Sequence, residues 1–96
     1  MNDANQIAEG VFATDNGARY VKQLASHLGR RSTVETDGDV TTIHLTVGRC
    51  TLAVTDKEVR LCAVGDDADG LATVQRVVGG HLERFAQRQG LAVNWI

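Results

Sequence analysis

The sequence contains no proline, only four aromatic residues and only two cysteines among 96 residues. Without proline, folding meets no slow X–Pro isomerisation, and the turns fall to Gly, Asp and Asn. With so few aromatic rings, the core must be built from Val, Leu, Ile and Ala. Cys50 and Cys62 cannot make a disulfide framework and are expected to be reduced thiols. No basic run interleaves with aromatic residues and the net charge is −2, which argues against a nucleic-acid partner. No apolar run approaches the roughly 18 residues that a membrane span needs. The first residues, MNDANQIAEG, lack a basic segment followed by an apolar one, so no secretory signal is read and a cytoplasmic protein is expected. There is no P-loop, GxGxxG, GxSxG, HExxH or CxxC, so no catalytic residue is assigned and an enzyme is the less favoured expectation.

The chain is organised around Asp66–Gly90, read as one long amphipathic helix. Leu71, Val74, Val78, Leu82 and Phe85 recur at spacings of three and four and form its apolar face. Asp66, Asp67 and Asp69 suit its N-terminal end, and Gly90 suits a left-handed stop. Gly79-Gly80 interrupts the pattern. It reads either as a close approach to a neighbouring element or as a kink that aims His81. Val77, His81, Arg84 and Arg88 form a stripe beside the apolar face. The plainer reading of that stripe is solvated boundary residues.

Residues 1–5 are polar and expected to be disordered; residues 6–96 form one domain. Gln6–Thr14 reads as a strand with a bulge at Gly10. Asp15 is the expected cap of a helix over Asn16–Leu28, with Val21, Leu24, Ala25 and Leu28 buried. Tyr20, Gln23 and His27 line up as a second polar stripe on that helix. Thr33–Thr36, Val40–Val47, the segment through Cys50, Leu52 and Val54, and the segment through Val59, Leu61 and Ala63 read as strands. The turns between them are placed at Asp37-Gly38-Asp39, Gly48-Arg49 and Thr55–Glu58. Leu91, Val93 and Trp95 alternate in a closing strand, with Trp95 a latch over the helices. The expected fold is a two-layer α+β domain: an antiparallel sheet of four to six strands with two helices on one face, in the order β-α-β-β-β-β-α-β. The other sheet face, rich in Thr42, Thr46, Thr51 and Thr55, faces water or a second copy of the chain.

Several blocks carry a resemblance. These are Arg19-Tyr20 with Lys22-Gln23-Leu24 and His27; Gly48-Arg49-Cys50 with Leu52; Val77-Val78-Gly79; His81-Leu82-Glu83-Arg84-Phe85-Ala86 with Arg88; and Leu91, Val93, Trp95. Together they resemble the bacterial domain of unknown function 2218 family over nearly the whole chain. Gly80, Gln87 and Gln89-Gly90 depart from its pattern. The resemblance implies a small bacterial protein with no assigned reaction. It also implies an association with flavin-dependent siderophore-interacting reductases as partners, and so with iron handling.

Three kinds of site are open. Arg19, Tyr20, Gln23, His27, His81, Arg84 and Arg88 would bind an anionic ligand, such as a carboxylate or a ferric chelate, if the two helix stripes converge. His27, Cys50 and His81 would hold a metal ion if both stripes meet over the strand bearing Cys50, the only cofactor contemplated. Cys50 as a reactive thiol would need a nearby base. Set against these stands a homodimeric structural or interaction module, in which Arg19 or Arg84 pairs with Glu83 or Glu9.

Overall fold

The computed structural model describes residues 6–96. Residues 1–5, expected to be disordered, lie outside the described residues. The chain runs β1 (Gln6–Ala13), α1 (Gly17–Leu28), β2 (Thr33–Asp37), β3 (Val40–Leu45), β4 (Gly48–Val54), β5 (Glu58–Gly65), α2 (Ala68–Val74), a π-helical turn (Gln75–Gly79), α3 (Gly80–Phe85), a 3-10 turn (Gln87–Gln89) and β6 (Val93–Trp95). The six strands form one sheet in the order β2-β3-β4-β5-β1-β6, and every pair is antiparallel. Hairpins link β2 through β5. The N-terminal strand β1 then pairs with β5 on one side and the C-terminal β6 on the other, so both ends of the domain close the same edge.

The alternation read from the strands places Ile43, Cys50, Leu52, Val59, Leu61 and Ala63 on one face, where they are buried under the helices. Phe12 of β1 joins them, opposite Val59. Val21 and Leu24 of α1, and Val74, Val78, Leu82 and Ala86 of the C-terminal helical segment, cover this face. The layers are therefore one sheet and one helical layer, with the core between them. Val40 and Ile7 lie on the uncovered face and are exposed.

Local expectations differ from the structure at four places. Asp15 does not cap α1: Asn16 occupies the cap position without a side-chain hydrogen bond, and its N–H donates to Thr14 Oγ1 at 3.0 Å. Gly10 is not a bulge, since β1 pairs with β5 in unbroken register through Gly10 and Leu61. Its missing Cβ makes room for a ring: a Cβ there would lie 2.7 Å from Trp95 Cε3. The hairpin between β3 and β4 turns at Thr46-Val47, because Leu45 pairs directly with Gly48 and Arg49 already lies in β4.

The fourth difference is in the long helix. Its buried residues Val74, Val78, Leu82 and Ala86 are spaced by four throughout. On a regular α-helix that spacing drifts by about 40° per step. The π-helical turn over Gln75–Gly79 has a longer repeat, which takes up part of the drift and keeps the stripe on the sheet. Phe85, expected on the apolar face, is consequently only half-buried at its edge, and Ala86 takes the core position. Gly79 has the packing reason that the sequence allowed for: a Cβ there would meet Trp95 Cζ2 at 3.2 Å. Asp67 caps α2, its Oδ1 accepting from the Gly70 N–H at 2.7 Å. Gly90 adopts the expected left-handed conformation, φ 66°.

Candidate functional site

The packing of α1 beside α3 decides where the polar stripes go. Tyr20 is anchored from below: its ring is buried and meets Phe12 edge-on, with centroids 5.8 Å apart. Its hydroxyl emerges between the helices and donates to Gln89 Oε1 at 3.2 Å. One helical turn along α1, Gln23 follows on the same edge, and Arg19 flanks it. From the other side come Arg84 on α3 and Arg88 on the 3-10 turn. These residues line one cleft of about 570 Å³. A second groove of about 410 Å³ continues from it along α1, lined by Arg19, Lys22, Gln23, His27, Arg30 and Phe85.

At the junction of α1 and α3, His27 and His81 face each other with ring centroids 4.9 Å apart and planes tilted by 44°. Phe85 stands nearly edge-on to both rings, 6.2 Å from each. His81 Nδ1 is hydrogen-bonded to the carbonyl oxygen of Val77 on the π-helical turn. The carbonyl can only accept, so Nδ1 carries the proton. Of the residues read as an anion site, Arg19, Tyr20, Gln23, Arg84 and Arg88 thus line the cleft and His27 the adjoining groove, while His81 lines neither and meets His27 and Phe85 at the helix junction.

The electrostatics of this surface follow from what is missing beside it. Helix α1 contains no acidic residue. The segment from His81 to Gln89 contains one, Glu83, and its Oε2 instead accepts the Val93 N–H of β6 at 2.8 Å. The expected pairing of Glu83 with Arg19 or Arg84 is therefore replaced by a strap that ties β6 to α3. Among the described residues the ion pairs are His44–Glu35 and Arg60–Glu58, both on strands. Arg19, Lys22, Arg30, Arg84 and Arg88 have no carboxylate partner among the described residues. A chain of net negative charge thus carries an unbalanced cationic strip on its helical layer.

Cys50 does not join this surface. It is fully buried on β4, between Ile43 and Ala63 in the sheet core, and its Sγ–H lies nearest its neighbour's carbonyl, Thr51 O at 3.6 Å. The proposed trio of His27, Cys50 and His81 is corrected accordingly: no group of three His, Cys, Asp or Glu side chains among the described residues is placed to hold a metal ion. Burial pushes the Cys50 thiol up to about 12, with Cys62 adding to the rise. It is therefore a core residue and not an activated nucleophile. Cys62 occupies the opposite face of β5, opposite Glu9 and Thr51.

A separate recess of about 750 Å³ beside the start of α1 is lined by Asp15, Asp39, Asp56 and Glu58 with Lys57. It is a shallow meeting of turns and collects none of the candidate ligand or metal residues. Four residues that line the cleft are absent from the site read in the sequence: Asn16, Phe85, Gln87 and Gln89. The signal at Gln87 and Gln89 was that they depart from the family pattern. No helix among the described residues is long and apolar enough to cross a membrane.

Comparison with known proteins agrees with this fold. No curated protein matches the sequence. The NMR structure of PA4090 from Pseudomonas aeruginosa is similar, with a TM-score of 0.79 and 30% sequence identity over 94% of each chain. The model of a family described as uncharacterised proteins conserved in bacteria matches residues 9–96. The chain belongs to that family, the bacterial domain of unknown function 2218.

Proposed function

We propose that this domain is a non-catalytic binding module, and that the cleft between α1 and the α3–3-10 segment takes a small ligand bearing carboxylates. The observation that carries this reading is the convergence of Arg19, Arg84 and Arg88 on one cleft that has no carboxylate of its own. Guanidinium groups bind carboxylates through paired, charge-assisted hydrogen bonds. Gln23, Gln87 and the Tyr20 hydroxyl add neutral groups that fix orientation. Such a site needs no general base, and none faces the cleft.

The family resemblance makes carboxylate-bearing iron chelates the first ligands to test, with a cytoplasmic flavin-dependent siderophore-interacting reductase as the partner to look for. Isothermal titration with citrate and with ferric citrate tests the reading. Binding is expected for the parent, weakened about tenfold or more in Arg84→Ala, the loss expected when a charge-assisted bond is removed. Parent protein that binds no carboxylate, or an Arg84→Ala variant with unchanged affinity, contradicts it.

A second reading is favoured by the uncovered sheet face. Among the described residues the exposed large apolar ones are Ile7 and Val40 on that face and Ile96 at its β6 edge. This supports a homodimer in which two such faces meet. Sedimentation analysis decides it: a dimer that Val40→Asp converts to monomer supports the reading, and a monomer at all concentrations removes it.

A further inference from the structure

We propose that His27 and His81 form a two-imidazole docking point for a transition-metal ion that arrives already held by an anionic chelator. The cleft and groove cations hold the chelator. This inference rests on the carboxylate-binding reading of the cleft.

The ring geometry is the starting point. Metal–imidazole bonds are about 2.0–2.1 Å long, so two imidazoles sharing one ion at right-angled to tetrahedral geometry have centroids roughly 4.5–5.2 Å apart. The centroid distance of 4.9 Å lies within that range, and the tilt of 44° is not that of a parallel stack. The tautomer agrees. With Nδ1 of His81 donating to the Val77 carbonyl, its Nε2 carries the free lone pair. A metal-bound histidine characteristically donates its other ring N–H to a carbonyl or carboxylate in this way. The carbonyl belongs to the π-helical turn, a local distortion that is frequent at functional sites. Phe85 packs beside both rings.

The same surroundings decide what kind of metal species fits. His27 shares its groove with Arg19, Lys22 and Arg30, and no carboxylate lines it. A bare divalent cation is repelled there, whereas a complex with net negative charge is attracted. Two imidazoles are also too few for a resident structural ion, which takes four protein ligands. They suit a labile cargo whose other positions are filled by the chelator. Imidazole selects nickel, copper, zinc or iron over magnesium, calcium or manganese. The ligand class is thus an anionic polycarboxylate complex of such a metal with two neighbouring coordination positions open.

Nickel(II) nitrilotriacetate has this form and serves as the probe, titrated calorimetrically into the untagged full chain beside metal-free nitrilotriacetate. The nickel complex is expected to bind at least about tenfold more tightly than the metal-free chelator, the size of effect typical of altering a metal site. His27→Gln and His81→Gln are each expected to remove that advantage while leaving the melting temperature near the parental value. His44→Gln, on the other sheet face, should change nothing. Equal affinity for the two forms, or histidine variants that bind the nickel complex as the parent does, overturns the proposal. If the nickel complex binds through the histidines but Arg84→Ala is silent and the metal-free chelator does not bind, the cleft's part in the proposal and the carboxylate reading both fall.

Discussion

Tyr20 and Gln89 are joined by a hydrogen bond of 3.2 Å across 69 positions of sequence, and it closes the floor of the basic cleft. The tyrosine ring is fixed in the core against Phe12, so its hydroxyl is a rigid post. The 3-10 turn carrying Arg88 and Gln89 leans on that post. Tyr20→Phe keeps the ring and removes only the post. The expected cost is about 1 kcal/mol, seen as a fall in melting temperature of roughly 4–8 °C. Carboxylate affinity should fall with it, because Arg88 loses its support. Unchanged stability and affinity would mean that the turn is held by other contacts.

Trp95 makes the opposite demand on two glycines. It lies over Gly10 of β1 and Gly79 of the π-helical turn, and a Cβ at Gly10 would enter its ring. Gly10→Ala is therefore expected to destabilise by about 1–3 kcal/mol through overpacking. Trp95→Ala should cost about 3 kcal/mol by emptying the same contact. Gly80, one residue after Gly79, has open space where its Cβ would go. Gly80→Ala should stabilise by up to about 1 kcal/mol, since alanine is the better helix former. Chemical denaturation of the three variants checks the signs.

The cationic strip is built for binding and not for stability. Exposed like charges without partners repel modestly. Arg84→Gln and Arg88→Gln should therefore leave the melting temperature unchanged or raise it at low salt, while carboxylate binding is lost. A loss of both together would make these arginines structural.

Cys50 gives a pH dependence. Burial raises its folded-state value from 9.0 to about 12, so between those limits the unfolded chain releases the thiol proton and the folded chain keeps it. Stability is then full below about pH 9 and falls as pH rises toward 12. Cys50→Ala should flatten that alkaline slope. In native protein Cys50 should also resist iodoacetamide and react only after unfolding.

The fold was legible wherever side-chain periodicity decides it. The inward residues Ile43, Leu52, Val59, Leu61 and Ala63 alternate cleanly, and their burial follows. The turn at Thr46-Val47 was not legible because it uses two β-branched residues where turn formers are the usual signal. Gly48 drew the turn to itself, yet its place is set by β5: a Cβ there would lie 2.0 Å from the Val64 carbonyl oxygen. The π-helical turn was hidden because Val74, Val78 and Leu82 fit a helical face with or without it.

For the site, the two stripes could be read singly: Tyr20, Gln23 and His27 on one helix, and His81, Arg84 and Arg88 on the other. Their meeting depends on β1 lying between β5 and β6, a long-range choice that no local pattern encodes. Cys50 is set apart from them by the strand alternation itself, which points it inward with Leu52, between Ile43 and Ala63.

The decisive experiment is a nitrogen-15 amide NMR titration of the full chain with citrate. If the cleft binds carboxylates, the saturating shifts gather on Arg19, Tyr20, Gln23 and the Arg84–Gln89 segment, and they vanish in the Arg84→Gln variant while its spectrum stays folded. Shifts that fall instead around Asp15, Asp56 and Glu58, or no saturable shifts at all, would contradict a carboxylate site between the two helices.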